Sequence, residues 1–88
     1  MFRTVIVIAA VLLTGPALAA AVCAKHPNSE WLPEAEAKSR IEAQGYKIKK
    51  FTVVINCYKI HGTNKDGTRV AIYFDTKTLE VVKYDFEN

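Results

Sequence analysis

Two cysteines (Cys23 and Cys57), two histidines (His26 and His61) and nine carboxylates are the side chains of this 88-residue chain best suited to chemistry. Cys57 and His61 stand four residues apart. On a strand that spacing puts them on one face but about 13 Å apart along the chain, beyond the reach of a thiolate–imidazole pair. The chain contains no Gly-rich phosphate loop, no Cys-x-x-Cys and no His-Glu-x-x-His. Asp66 and Asp75 lie among turn formers and read as turn chemistry in preference to acid catalysis or calcium binding. His26, beside Pro27, reads as solvated and not as a ligand. No catalytic residue is assigned, no cofactor or metal is expected, and the chain reads as a non-enzyme.

The cysteines have meaning only together with the compartment, and the N-terminus points to one. Met1-Phe2-Arg3 carries a positive charge, Val5 to Leu13 is an apolar run, Gly15-Pro16 breaks it, and Ala17-Leu18-Ala19 supplies small residues. That is the pattern of a secretory signal over residues 1–19, cut before Ala20 or alternatively before Val22. The run is short for a membrane-spanning helix of about 20 residues. Val22 is also a poor neighbour for a lipid-modified Cys23, so no stable membrane anchor is expected after cleavage. The expected location is periplasmic or secreted. In such an oxidising compartment Cys23 and Cys57 pair naturally as a disulfide; two free thiols, or a metal site that the spacing supports poorly, are the competing readings.

Removing 19 of the 88 residues leaves 69, enough for one small domain whose core needs a staple. Closing the Cys23–Cys57 loop would contribute about 3 to 4 kcal/mol in the loop-entropy model. Without Arg3 the basic residues fall from 12 to 11 against 9 acidic ones, a net charge of +2. That is too mild to argue for nucleic acid or anionic lipid.

The elements that would position these side chains follow from pattern. Residues 20–30 hold Pro27, Asn28 and Ser29 without periodicity and read as an extended arm pinned by Cys23. From Trp31 the chain reads as a domain to residue 88. A helix is predicted over about Pro33 to Gln44, with Glu34 and Glu36 near its positive end and Gly45 as terminator. Ala37 and Ile41 share a face with Trp31 or Leu32, a narrow stripe that must lie on a sheet. Four strands follow. In the first, the parity changes between Tyr46, Ile48 and Phe51, Val53, Ile55, which favours a β-bulge near Lys49-Lys50. The next turn, near Val54 to Asn56, is unusually apolar. Cys57 to Phe74 is a hairpin about Asn64-Lys65-Asp66-Gly67. Its core-facing set is Tyr58, Ile60, Gly62, Val70, Ile72 and Phe74; Cys57, Lys59, His61, Arg69, Ala71 and Tyr73 point the other way. Asp75 to Thr78 turns the chain into a last strand over Leu79 to Tyr84. The predicted class is α+β, one N-terminal helix packed on a small antiparallel four-stranded sheet.

At this level the chain resembles a known family. The helix end Glu42-Ala43-Gln44-Gly45-Tyr46, then Cys57-Tyr58, Lys65-Asp66-Gly67-Thr68-Arg69-Val70, Phe74-Asp75-Thr76 and Glu80-Val81-Val82 resemble a PepSY domain of the short, single-domain exported kind. The resemblance spans Trp31 to Lys83. It implies a helix on a small antiparallel sheet, a place outside the cytoplasm and no catalytic activity. PepSY domains occur in propeptides of secreted metallopeptidases, where they are linked to inhibition or folding, and as stand-alone or membrane-tethered modules. No peptidase domain follows Asn88, so a peptidase-directed role implies a partner in trans. Pro33 stands where such helices often carry a Ser or Thr cap, a departure that leaves the expected fold intact.

The candidate contact surface is the outer sheet face, with Lys47, Lys49, Lys59, His61, Arg69 and Tyr73 as a basic patch bearing an aromatic. A solvated face of a half-buried sheet is the plainer reading of the same residues. The expected function is a binding or regulatory module, directed at a secreted peptidase or a membrane protein. The alternative is an accessory of a membrane or periplasmic haem or electron-transfer system, to which His26 and His61 lend little support.

Overall fold

The computed structural model describes residues 22–87; the proposed signal segment lies outside them. A 3-10 turn (Asn28–Glu30) leads into α1 (Glu34–Ala43), followed by β1 (Lys47–Val54), β2 (Cys57–Thr63), β3 (Arg69–Asp75) and β4 (Val81–Phe86). The strands form one antiparallel sheet in the order β1-β2-β3-β4, and α1 packs on one face of it. The α+β class is as expected; the helix, at Glu34–Ala43, is not N-terminal but follows the predicted arm, and the 3-10 turn within that arm is an element its lack of periodicity did not announce.

A ten-residue helix is too short to hold itself in water, and α1 is held by two contacts of its narrow stripe. Ala37 and Ile41 are completely buried, against Tyr58, Ile60, Val70, Ile72 and Phe74. Burying an aliphatic side chain such as Ile41 contributes about 1.5 to 3 kcal/mol. The exposed side carries the i,i+4 pairs Glu34–Lys38 (3.0 Å) and Glu36–Arg40, worth only tenths of a kcal/mol each. Gly45 ends the helix at φ 104°, where its N–H reaches the Glu42 carbonyl.

All six predicted core-facing residues of the central hairpin face α1. Gly62 is there for a reason that parity does not reveal. A Cβ at this position would lie 1.8 Å from the Lys47 carbonyl oxygen, because the backbone of β1 crosses where the side chain would be. The β1–β2 register shifts between Ile48 and Lys50 at the same place, so the predicted bulge is present. It brings Ile48 opposite Gly62 and Phe51 opposite Ile60, both on the core face.

The last strand begins two residues later than predicted. Asp75 builds the preceding turn: its Oδ1 accepts the N–H groups of Lys77 (2.8 Å) and Thr78 (2.9 Å), and Leu79 sits beyond it at φ 62°. Leu79 is buried in the core from that turn and not from a strand. A pattern of alternating apolar residues cannot distinguish the two. A second register shift between Tyr73 and Phe74 then sets Tyr84 opposite Ile72.

The arm is tied down along its length. Cys23 and Cys57 form a disulfide with Cα atoms 5.5 Å apart, the Trp31 indole donates to the His26 carbonyl (3.0 Å), and the Leu32 N–H donates to the Thr76 carbonyl (2.9 Å). Trp31 meets Tyr58 edge to face at 5.6 Å, and the Tyr58 hydroxyl donates to the Leu32 carbonyl at 2.6 Å. Burial first, and then the charge of Glu34, push the Tyr58 phenol above its ordinary range.

Candidate functional site

The strand pairings decide which side chains share the face away from α1. Lys59 stands opposite Tyr73, and Tyr73 opposite Lys83; one step along, Lys50 stands opposite His61, His61 opposite Ala71 and Ala71 opposite Asp85. A third row carries Lys47, Thr63 and Arg69. Among the described residues no helix or second sheet covers this face; only the arm meets its end, through the disulfide at Cys57.

The predicted set Lys47, Lys59, His61, Arg69 and Tyr73 therefore lies on one surface. Lys49 falls in the bulge and has no partner across the β1–β2 ladder, so Lys50 takes the outward ladder position that simple alternation gives to Lys49. Once a bulge is placed at Lys49-Lys50, the parity beyond it follows, so Lys50 was findable. Lys83 has no such signal, because its face depends on the β3–β4 shift. Ala71, also counted outward, is 4% exposed: the long side chains around it close over a small residue.

Tyr73 is the centre of this surface. The Lys59 ammonium stands 4.8 Å from the ring centroid and that of Lys83 stands 5.9 Å from it, so two cations flank one half-buried aromatic. Each such contact contributes about 0.5 to 1 kcal/mol at an exposed site. The basic character is tempered at the margins. His61 Nδ1 lies 3.3 Å from Glu87, and Lys83 lies 3.7 Å from Asp85. A flat aromatic between two ammonium groups, with Lys50 and Arg69 further along the same face, can accept a carboxylate-bearing surface.

His26 is not solvated, contrary to the reading from its Pro27 neighbour. Its Nε2 lies 3.1 and 3.0 Å from the two oxygens of Asp75, and both side chains are largely buried. Burial pulls the Asp75 carboxyl upward, but the Thr78 N–H, the His26 ring, the Lys77 N–H and the His26 charge together outweigh it and hold Asp75 below its ordinary value. The partners are 49 residues apart, a separation no local pattern encodes. A His–Asp pair orients a general base when a nucleophile meets the other ring nitrogen. Here both cysteines are in the disulfide, and no side chain of the described residues hydrogen-bonds His26 Nδ1. The pair closes the arm onto the β3–β4 turn. Among the described residues no group of His, Cys, Asp and Glu is arranged to hold a metal, and none forms a helix long and apolar enough to cross a membrane.

A family model described as peptidase propeptide and YPEB domain, of the PepSY type, matches residues 3–85. That match covers nearly the whole chain, and the chain belongs to this family. Its modules are in general non-catalytic and propeptide-like or inhibitor-like. The disulfide and the family together point to an extracellular or periplasmic place. No curated protein and no solved structure matches the chain.

Proposed function

We propose that this member of the peptidase propeptide and YPEB domain family is an exported, non-enzymatic module that binds a secreted peptidase in trans and modulates its activity or folding. The observation that carries the reading is the uncovered outer face, on which Tyr73 lies between Lys59 and Lys83, with Lys50 and Arg69 further along the same face. A merely solvated sheet face is served by isolated charges. Here an aromatic ring, a residue type enriched in contact centres, is held between two ammonium groups whose charge would favour an acidic surface. The partner surface is correspondingly acidic.

The test is addition of the purified chain to secreted metallopeptidases, during refolding and during turnover, beside a Lys59→Glu/Arg69→Glu variant. The expected result is inhibition, or a raised refolding yield, by the native chain and at least a ten-fold weaker effect of the variant. Equal effects of the two proteins would sink the assignment of this face. No effect of either on any peptidase would sink the peptidase reading itself.

A further inference from the structure

The open sheet has two edges, and they are built differently. β1 carries Lys47, Lys49 and Lys50 without an acidic residue, and the bulge at Lys49 interrupts it. Lysines and a bulge are ordinary means of keeping an edge strand from pairing with another chain. β4 carries one cation and one carboxylate, Lys83 and Asp85, among Val81, Val82 and Phe86, which are 48%, 38% and 67% exposed. Its own register shift leaves Val82 without a partner across the β3–β4 ladder. Beyond it, Lys83 to Phe86 is a regular run.

The backbone of that run is half used. The Glu87 N–H donates to the Arg69 carbonyl (2.9 Å). An antiparallel ladder alternates, so Asp85 and Lys83 also turn their backbone groups toward β3, and those of Tyr84 and Phe86 turn outward. Among the described residues no strand lies beyond β4. The side chains alternate too. Lys83 and Asp85 stand on the outer face, opposite Tyr73 and Ala71, while Tyr84 and Phe86 stand on the helix side, where their rings meet at 5.3 Å. Outward N–H and C=O groups beside exposed apolar side chains are the template for an added strand.

The charges identify the strand that fits. A second copy of β4, antiparallel and centred on Tyr84, sets Lys83 opposite Asp85 and Asp85 opposite Lys83, with Phe86 opposite Val82. The outward backbone groups of the two Tyr84 residues then face each other. Opposite charges and apolar pairs across neighbouring strands stabilise a sheet, and like charges directly opposite destabilise it. Centring the pair on Asp85 instead sets two carboxylates face to face, and β1 offers a copy of itself only lysines.

We propose that the β4 edge is a self-association surface, through which two copies pair by antiparallel β4 strands about a two-fold axis at Tyr84. The contact uses the same patch on both copies and therefore closes at the dimer. The axis stands perpendicular to the joined sheet, so both outer faces lie on one side and the Lys59–Tyr73–Lys83 group is presented twice on one surface. Lys83 already meets Tyr73 and, at 3.7 Å, Asp85 of its own strand; the second copy adds another carboxylate. The pairing is independent of the peptidase reading.

Sedimentation equilibrium of the purified chain, of Asp85→Lys and of Lys83→Asp tests this. The native chain is expected to dimerise reversibly with rising concentration. Each variant puts like charges opposite each other in its own dimer and is expected to associate about ten-fold more weakly. An equimolar mixture of the two variants restores both opposite-charge pairs between copies and is expected to recover native association. A monomeric native chain, assemblies that grow beyond the dimer, variants that associate as tightly as the native chain, or a mixture that fails to recover would each overturn the proposal. If a variant does not fold, amide exchange of the native chain gives the second reading. The Tyr84 and Phe86 amides are expected to slow as concentration rises while those of β1 do not; unchanged exchange at Tyr84 and Phe86 would overturn the proposal.

Discussion

The two hairpin turns flanking β2 are built on opposite terms. At the β2–β3 turn every residue agrees with its backbone: Asn64 Oδ1 accepts the N–H groups of Asp66 (2.9 Å) and Thr68 (3.0 Å), and Gly67 takes φ 82° with open space around it. At the β1–β2 turn Ile55 stands at positive φ, exposed, without a side-chain hydrogen bond to hold the loop. One turn is closed by its own chemistry. The other stands between the last ladder pair, Val54 opposite Cys57, and the disulfide two residues downstream. A turn that does not contribute to its own closure is free to carry a residue that its backbone disfavours.

This difference can be broken at several points. Gly62→Ala has the largest expected effect, because its methyl group would fall on the Lys47 carbonyl and must displace β1. Loss of at least about 3 kcal/mol is expected, in the range of the most damaging point mutations, measured as the urea midpoint and as loss of amide protection confined first to β1. Replacing both cysteines by serine follows. A disulfide across 34 residues of sequence contributes about 3 to 4 kcal/mol, and its loss should also free the arm, visible as faster proteolysis before Trp31. Asn64→Ala removes the two side-chain bonds that close the β2–β3 turn and should cost about 1 to 2 kcal/mol, with the β1–β2 turn unaffected in amide exchange.

A smaller effect concerns pH. Asp75 is held below its ordinary value in the folded state, so its contribution is fully present above the unfolded carboxylate value of about 3.9 and is lost as pH falls through the lower folded value. Urea midpoints measured from pH 5 to pH 2 should fall less steeply for Asp75→Asn than for the native chain. Parallel slopes would mean that the His26 and turn contacts do not favour the carboxylate.

The same contrast explains what could be read from the sequence. The β2–β3 hairpin, the helix and the six core-facing residues were legible, because turn residues, caps and alternation are local signals. The bulge was legible from a parity change, and with it the place of Phe51 on the core face. His26 was not, since its partner Asp75 lies far along the chain and only the folded arm brings them together. Leu79 was not, because a buried leucine in a turn and one in a strand look alike in a string of apolar residues. The candidate face was legible in five of its six named residues, and the sixth moved from Lys49 to Lys50 through the bulge. The apolar turn at Ile55 stood out in the sequence without an account; its positive φ and exposure turn that oddity into a physical statement.

The direct measurement of that statement is the stability of Ile55→Asn/Asn56→Gly, which gives the β1–β2 turn the chemistry its backbone requires. If Ile55 is not there for the fold, the double variant unfolds at higher urea concentration than the native chain, with a gain of about 1 kcal/mol. A loss of stability of that size would contradict the account, because it would show that Ile55 supports the folded domain.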